Sequence, residues 1–245
     1  MESHRTFRER DNAQAMSSYV PAIGVGFYSA AEAARLLKVP ARNVSRWLGG
    51  YSYNQHSERH HMPPLWTPQL PGYDHHIELG FRDLIELRFV KAFIDTGLGL
   101  KTIRFCLDIA REYVNDERPF STRRFRTDGR TIFLESARIA CGSELLDLKR
   151  KQYTIKDVIK RTFKDLDVEA DAVARWRPYS GKETIVIDPE RAFGQPIAAD
   201  YGIPTITLAQ AVEAEGTIKR VTQLYEVPAA IIKEAVSFEK SLLAA

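Results

Sequence analysis

Cysteine is scarce in this chain. Only Cys106 and Cys141 occur in 245 residues, far apart and each in apolar or small-residue surroundings, which suits two buried thiols in a reducing compartment and a fold that needs no staple. Long hydrophobic runs are missing as well: no stretch of about 18 apolar residues is present, which argues against a membrane-spanning helix. The opening MESHRTFRERDNAQ has none of the apolar character of a signal peptide, so the expected location is the cytoplasm. The glycine-rich dinucleotide and phosphate loops, the nucleophile elbow and the H-E-x-x-H zinc motif are all absent, and the acidic residues form no recognisable metal cluster. Neither an enzyme nor a cofactor is expected. A strong excess of one charge is lacking too. The formal net charge is +3, and it is the distribution of charge rather than so small a total that makes a nucleic-acid footprint.

What is present is the composition of an ordinary globular protein, 44% hydrophobic and 27% charged, with enough chain for more than one compact unit of roughly 100–150 residues. Residues 1–22 are polar and without apolar periodicity, and read as a flexible N-terminal tail. Structure begins at about residue 23. In YSAAEAARLLKVP, Ser29 with Glu32 three positions on forms a capping box, and Ala33, Leu36 and Leu37 make a buried stripe. A helix over 30–37 follows. Val39-Pro40 breaks it, and a second helix runs from Arg42 to Leu48 before Gly49-Gly50. This is a helix-turn-helix in outline.

On that second helix Val44 and Leu48 turn inward, together with Trp47, so Arg42 and Arg46 point outward, flanked by Asn43 and Ser45. Arg pairs with guanine edges and Asn with adenine, while Ser bonds phosphate or base, all from an element of the width a DNA major groove admits. Ser29, at the start of the first helix, completes the DNA-binding candidates. A single short reading helix covers few base pairs, so a homodimer on double-stranded DNA is expected.

Four prolines between Tyr51 and Gly80 exclude a long helix there and suit a loop or twisted hairpin, which in a winged domain is the wing. Five of the six histidines lie between His56 and His76. A zinc site through His56, His60, His61 and His75 or His76 would lack the nearby cysteine or paired carboxylates that complete such sites. FRDLIELRFVKAFIDTG and LKTIRFCLDIAREYV carry two helical patterns that should pack on the first pair. In FSTRRFRTDGRTIFLE, Asp128-Gly129 between β-prone runs predicts a hairpin with strands near 121–126 and 131–135. Its Arg123, Arg124, Arg126 and Arg130 suit a backbone clamp, a partner surface or a solvated face. KRKQYTIKDVIKRTFK, residues 149–164, has seven basic residues and one acidic and reads as an amphipathic helix capped by Thr154, equally suited to solvent or to phosphate.

After a linker through RWRPYSGKE, short strands are predicted in ETIVIDPERAFGQPIAADYGIPT and helices starting near Leu208, Ile218 and Pro228. The last two repeat a scaffold already met: LYEVPAAIIKEAV at 224–236 matches LLKVPARNVSRWL at 36–48. Its outward positions are rewritten to Ala230, Ile231, Lys233 and Glu234. Carboxylate and bare Ile do not suit phosphate, so the first copy is expected to read DNA and the second to bind an apolar surface, most simply protein. The expected organisation is mainly α with small β elements: the tail over 1–22, a winged helix-turn-helix domain with the β-hairpin over 23–140, a basic connecting helix and linker over 141–180, and a small strand-plus-three-helix domain, itself helix-turn-helix-like, over 181–245.

FYSAAEAARLLKVPARNVSRWL followed by FRDLIELRFVKAFIDTGLGLKTIR resembles the MerR-like winged helix at the head of VapB-type antitoxins of bacterial type II toxin-antitoxin systems. IVIDPERAFGQPIAADYGIPT with LYEVPAAIIKEAVSFE is similar to the domain of unknown function, family 433, found in the same antitoxins, with Asp188-Pro189, Phe193-Gly194, Pro196 and Ile203-Pro204 at the family spacing. Gly202 stands where the family usually has a basic residue. The resemblance implies a protein that neutralises a PIN-type ribonuclease toxin in a hetero-oligomer through the domain over 181–245, and represses its own operon at its operator. A PIN-type nuclease clusters carboxylates around magnesium, so a cation supplied by the antitoxin suits its site. Arg175, Arg177, Lys182 and Arg191 are the candidates, with Ile231 for apolar docking. A stand-alone MerR-like regulator with a ligand-sensing C-terminal domain is the alternative.

Overall fold

The computed structural model describes residues 24–55, 58–72 and 76–243. The tail expected over 1–22 lies outside the described residues, as do His56 and His75. Strand β1 (Tyr28–Ser29) leads directly into α1 (Ala30–Leu37), and α2 (Ala41–Gly49) follows across a tight turn. Strands β2 (Tyr51–Gln55) and β3 (Glu58–Met62) form the expected antiparallel hairpin, with Tyr53 opposite His60 and Ser52 opposite His61. Strand β4 (Glu78–Leu79) returns to pair with β1. Two long helices come next, α3 (Phe81–Asp95) and α4 (Leu100–Val114).

The predicted hairpin at 121–135 is instead a helix, α5 (Arg123–Ile139), opened by Thr122, whose hydroxyl accepts from the Phe125 backbone N–H at 3.0 Å. Helical periodicity outweighs the Asp-Gly turn signal here. Phe125, Gly129, Ile132, Phe133 and Ser136 form one buried stripe. Gly129 serves close packing rather than a turn, since a Cβ there would lie 2.8 Å from Ile159 Cδ1. The neighbour it approaches is α6 (Gly142–Thr162), the basic helix, which begins well before 149, so Thr154 is mid-helix and exposed rather than a cap. Phenylalanines knit these helices together. Phe93 meets Phe120 and Phe133 edge-on at 5.5 and 5.1 Å, and Phe89 meets Phe125 edge-on at 5.7 Å. Cys106 is buried as expected, whereas Cys141, between α5 and α6, is exposed.

Five antiparallel strands then pair in chain order: β5 (Leu166–Glu169), β6 (Ala172–Trp176), β7 (Ile185–Ile187), β8 (Pro196–Ala198) and β9 (Ile203–Pro204). The sheet therefore straddles the boundary drawn at 180/181, and part of the expected linker is strand β6. Helices α7 (Thr205–Glu215), α8 (Ile218–Tyr225) and α9 (Ala229–Leu243) complete the chain. They enclose a small core of Leu208, Val221, Val227 and Ile232, while Phe238 and Leu242 of α9 join the large core of the preceding helices. Among the described residues no helix is long and apolar enough to cross a membrane.

Asp83 lies in the first turn of α3 and is fully buried. It accepts from Trp66 Nε1 at 2.9 Å, the Gln69 and Gly80 backbone N–H groups at 2.7 and 3.0 Å, and Arg118 Nε at 2.7 Å. Removing a charge so fully paired strands the Arg118 guanidinium and three other donors. Asp83→Ala is accordingly expected to cost about 3–5 kcal/mol, read from urea unfolding. Glu86, one turn on, is equally buried and accepts from the Ser121 and Phe120 backbone N–H groups at 2.7 and 3.2 Å. Burial pushes its carboxyl up to about 7, against the pull of these bonds and of Arg82. The folded chain then holds a proton that the unfolded chain has already released. Stability is expected to fall as pH rises from the ordinary carboxyl value of 4.5 to about 7. Glu86→Gln should flatten that part of the stability profile, whatever its effect on absolute stability.

Candidate nucleic-acid interface

The helix-turn-helix is built by a left-handed residue rather than by glycine. Lys38 caps α1 at φ 54°, ψ 52°, and Pro40 then accepts the Asn43 N–H at 2.8 Å to start α2. Ser29 closes the other end of α1. Its hydroxyl accepts the Glu32 N–H at 3.2 Å and donates to the Glu32 carboxylate at 2.8 Å, while its own N–H donates to the same oxygen at 2.8 Å. The Ser29 hydroxyl is thus consumed by the cap.

On α2, Val44, Trp47 and Leu48 are buried, and Arg42, Ser45 and Arg46 are exposed, with Asn43 half-buried beside them. Neither arginine is paired with a carboxylate among the described residues. The Arg46 guanidinium lies 4.0 Å over the Tyr51 ring at the base of the β2–β3 hairpin, which restrains its long side chain. Ser45 donates to the Ala41 carbonyl at 3.3 Å and, with Ser29, lines a shallow groove between the starts of α1 and α2. The four α2 residues named from sequence therefore share a face, and Ser29 adjoins it. The hairpin beside them is polar: His60 stacks on Tyr53 at 5.3 Å, and Ser52 meets His61 Nδ1 at 3.4 Å. Cations and donors set along the exposed face of a helix can bond phosphates and base edges.

The second copy has the same skeleton. Glu226 caps α8 at φ 55°, ψ 31°, the Pro228 carbonyl accepts the Ile231 N–H at 3.0 Å, and Ile232 and Ala235 are buried where the first copy buries Val44 and Trp47. Ile231 is not bare, as its pattern suggested, but half-buried and packed on the small core. Glu234, in the place of Arg46, is held by Lys182 at 2.6 Å and by the Thr184 hydroxyl. The bonds from Lys182 and Thr184 lower its carboxyl pKa, and the bond to Glu234 raises that of Lys182. The two copies touch through Arg35 on α1, whose guanidinium reaches the buried Glu239 carboxylate of α9 at 3.2 Å.

The four cations named near the C-terminal unit are not gathered in one site. Arg175 is tied to Asp167 and Glu169, and Arg177 to Asp167 at 2.7 Å and Glu183 at 3.6 Å. Lys182 is the partner of Glu234 and packs over Tyr179. Arg191 alone among them bonds a neutral group, the Ala199 carbonyl, at 2.8 Å. Its guanidinium lies beside Gly202, 3.3 Å from where a Cβ would be, so a positive charge does stand next to the residue that precedes Ile203-Pro204.

Sequence reasoning passed over the adjoining turn. Ala192, Phe193 and Gly194 all have positive φ, and the Phe193 ring is 68% exposed. The turn is pinned from the N-terminal side: the Phe27 N–H donates to the Phe193 carbonyl at 3.0 Å, and the buried Tyr28 hydroxyl donates to the Gly194 carbonyl at 2.7 Å. Two consecutive strained non-glycine residues presenting an aromatic ring are a feature that structure usually reserves for function. The Phe193-Gly194 pair was the available signal.

No family model matches this chain. A curated protein of Mycobacterium tuberculosis named "Putative antitoxin VapB45" is 25% identical over 223 residues, which span 86% of this chain and 93% of that relative. The X-ray crystal structure of Rv2018 from Mycobacterium tuberculosis superposes with a TM-score of 0.69 at 22% identity, covering 87% of this chain and 99% of the other, and so shares its fold. Over most of its length the chain is similar to a VapB-type antitoxin.

Proposed function

We propose that this protein is an antitoxin that neutralises a PIN-type ribonuclease toxin and represses its own operon as a homodimer through a MerR-like winged helix-turn-helix. The relative named as an antitoxin carries the first half of this reading. For the second half, the supporting observation is the exposed face of α2, where Arg42 and Arg46 stand one turn apart without carboxylate partners among the described residues and Arg46 is restrained over Tyr51. Ser29 contributes indirectly, by holding the end of α1 against which α2 is set. The toxin-binding reading rests on Arg191 and Phe193. Arg175, Arg177 and Lys182 already have carboxylates and so have less charge to offer a partner, whereas Arg191 pairs with no carboxylate among the described residues and neighbours an exposed aromatic ring. Nothing comparable favours a ligand-sensing regulator.

Four outcomes test this. Arg42→Ala and Arg46→Ala should each weaken binding to the protein's own upstream DNA by about 1–3 kcal/mol with smaller losses on random duplex, and equal losses on both would refute base reading. Tyr51→Ala should act through Arg46 and cost less, about 0.5–1 kcal/mol. Tagged full-length protein should co-purify stoichiometrically with a small nuclease encoded beside it. Phe193→Ala is expected to weaken that complex by about 2 kcal/mol or more, as for a buried aromatic anchor. Capture unaffected by both Phe193→Ala and Arg191→Ala would place the toxin elsewhere.

A further inference from the structure

Between the α5–α6 pair and the β5–β6 hairpin lies an open cleft of about 1390 Å³. Arg126 and Arg130 of α5 line one side, and Lys156, Lys160, Arg161 and Lys164, on α6 and just past its end, line another. All six are exposed, and none pairs with a carboxylate among the described residues. The cleft's own carboxylates do not cancel them: Asp167 and Glu169 are occupied by Arg175 and Arg177, leaving Asp157 against six cations. Arg126 and Arg130, like Lys156 and Lys160, are four residues apart, which sets charges about 6 Å apart along each helix.

The lining also says what kind of partner fits. Protein interfaces centre on apolar and aromatic anchors and are poor in lysine, but of the apolar residues here Ile159, Phe163 and Leu166 are buried in the core and only Val168, a small aliphatic side chain, is half-buried. Sites for single-stranded nucleic acid offer aromatic rings on which bases stack, and the only ring in this lining, Phe163, is 4% exposed. A duplex needs neither, because its bases are stacked internally and it presents a phosphate backbone to lysine and arginine.

We infer that this cleft binds the phosphate backbone of duplex DNA without reading sequence, as a second point of attachment beside that of α2. The inference deepens the DNA-binding half of the proposed function, and its test separates the two. Full-length protein carrying Lys156→Ala, Lys160→Ala and Lys164→Ala is titrated by fluorescence anisotropy against a random-sequence duplex of about 24 base pairs over roughly 50–200 mM salt, beside the wild type and an Arg42→Ala/Arg46→Ala variant. The triple variant is expected to lower the slope of log affinity against log salt by roughly 2–3, at about 0.9 for each phosphate it no longer neutralises. The arginine variant should keep most of its random-duplex binding, and that result sustains the cleft even if α2 proves not to read bases. A slope unchanged in the triple variant, with melting temperature also unchanged, overturns the inference. Tighter wild-type binding to a dT oligomer of the same length than to the duplex also overturns it, in favour of a single strand. Loss of nuclease capture by the triple variant with duplex binding intact overturns it in favour of an acidic protein surface.

Discussion

The buried carboxylate of Asp83 gathers stretches of chain that have no other reason to meet. Its donors come from the proline-rich segment after the hairpin, from the start of α3 and from the turn before α5. A buried charge is costly unless every lone pair is used, and here four donors use them. The segment it holds carries the orientation of α2, because the Leu65 N–H donates to the Trp47 carbonyl at 2.8 Å. Arg111 and Arg104 of α4 bond the Leu65 and Pro63 carbonyls at 3.0 and 2.6 Å from the other side. Residues 63–69, which form no strand or helix, are thereby held from both sides, and they in turn hold the end of α2 through Trp47. None of this is visible as periodicity, since Trp66, Asp83 and Arg118 are distant in sequence.

Local signals are legible where local chemistry decides. The capping box of Ser29 and Glu32, the inward set of Val44, Trp47 and Leu48, the hairpin after Tyr51 and the starts of α8 and α9 follow from spacing that short-range geometry enforces. Sequence reasoning fails where a residue type has two physical uses. Gly129 after Asp128 suits a two-residue turn, but glycine equally suits a helix that must approach another closely, and only the presence of Ile159 across the interface selects between them. The start of α6 escapes because its first two turns, unlike its basic second half, have no strong charge signature. Strands β5 and β6 read partly as linker because their pairing with β7 depends on segments further along the chain. The candidate site is legible on α2 for the same reason as the fold there, while Arg175, Arg177 and Lys182 look available in sequence only because their carboxylate partners are set by tertiary structure.

The repeated scaffold shows how little of a helix-turn-helix its function constrains. What both copies keep is what the turn requires: a left-handed cap at Lys38 or Glu226, then Val-Pro-Ala, and an apolar residue four positions past the proline. Neither cap is glycine, and the strain is tolerated because side chains buried on both sides over-determine the turn. The outward positions are free of these demands and diverge completely. Where the first copy has Arg46 raised over Tyr51 and open to an anion, the second has Glu234 drawn down onto Lys182 and Thr184. At this position the second copy is thus closed by an internal ion pair and a hydroxyl, whereas the first keeps its cation free of a carboxylate among the described residues.

That closure shifts attention to the turn at Phe193. A left-handed phenylalanine with its ring in water gains nothing locally: the backbone is strained and apolar area is left uncovered. The arrangement persists because Gly194 packs where a Cβ would fall 2.3 Å from Tyr28 Oη, and because Phe27 and Tyr28 bond the Phe193 and Gly194 carbonyls. Strand β1, which leads into the first helix-turn-helix, is thus bonded directly to the turn that presents the ring. Under the proposed function, a partner that covers Phe193 therefore meets the turn to which β1, the strand leading into α1 and α2, is bonded.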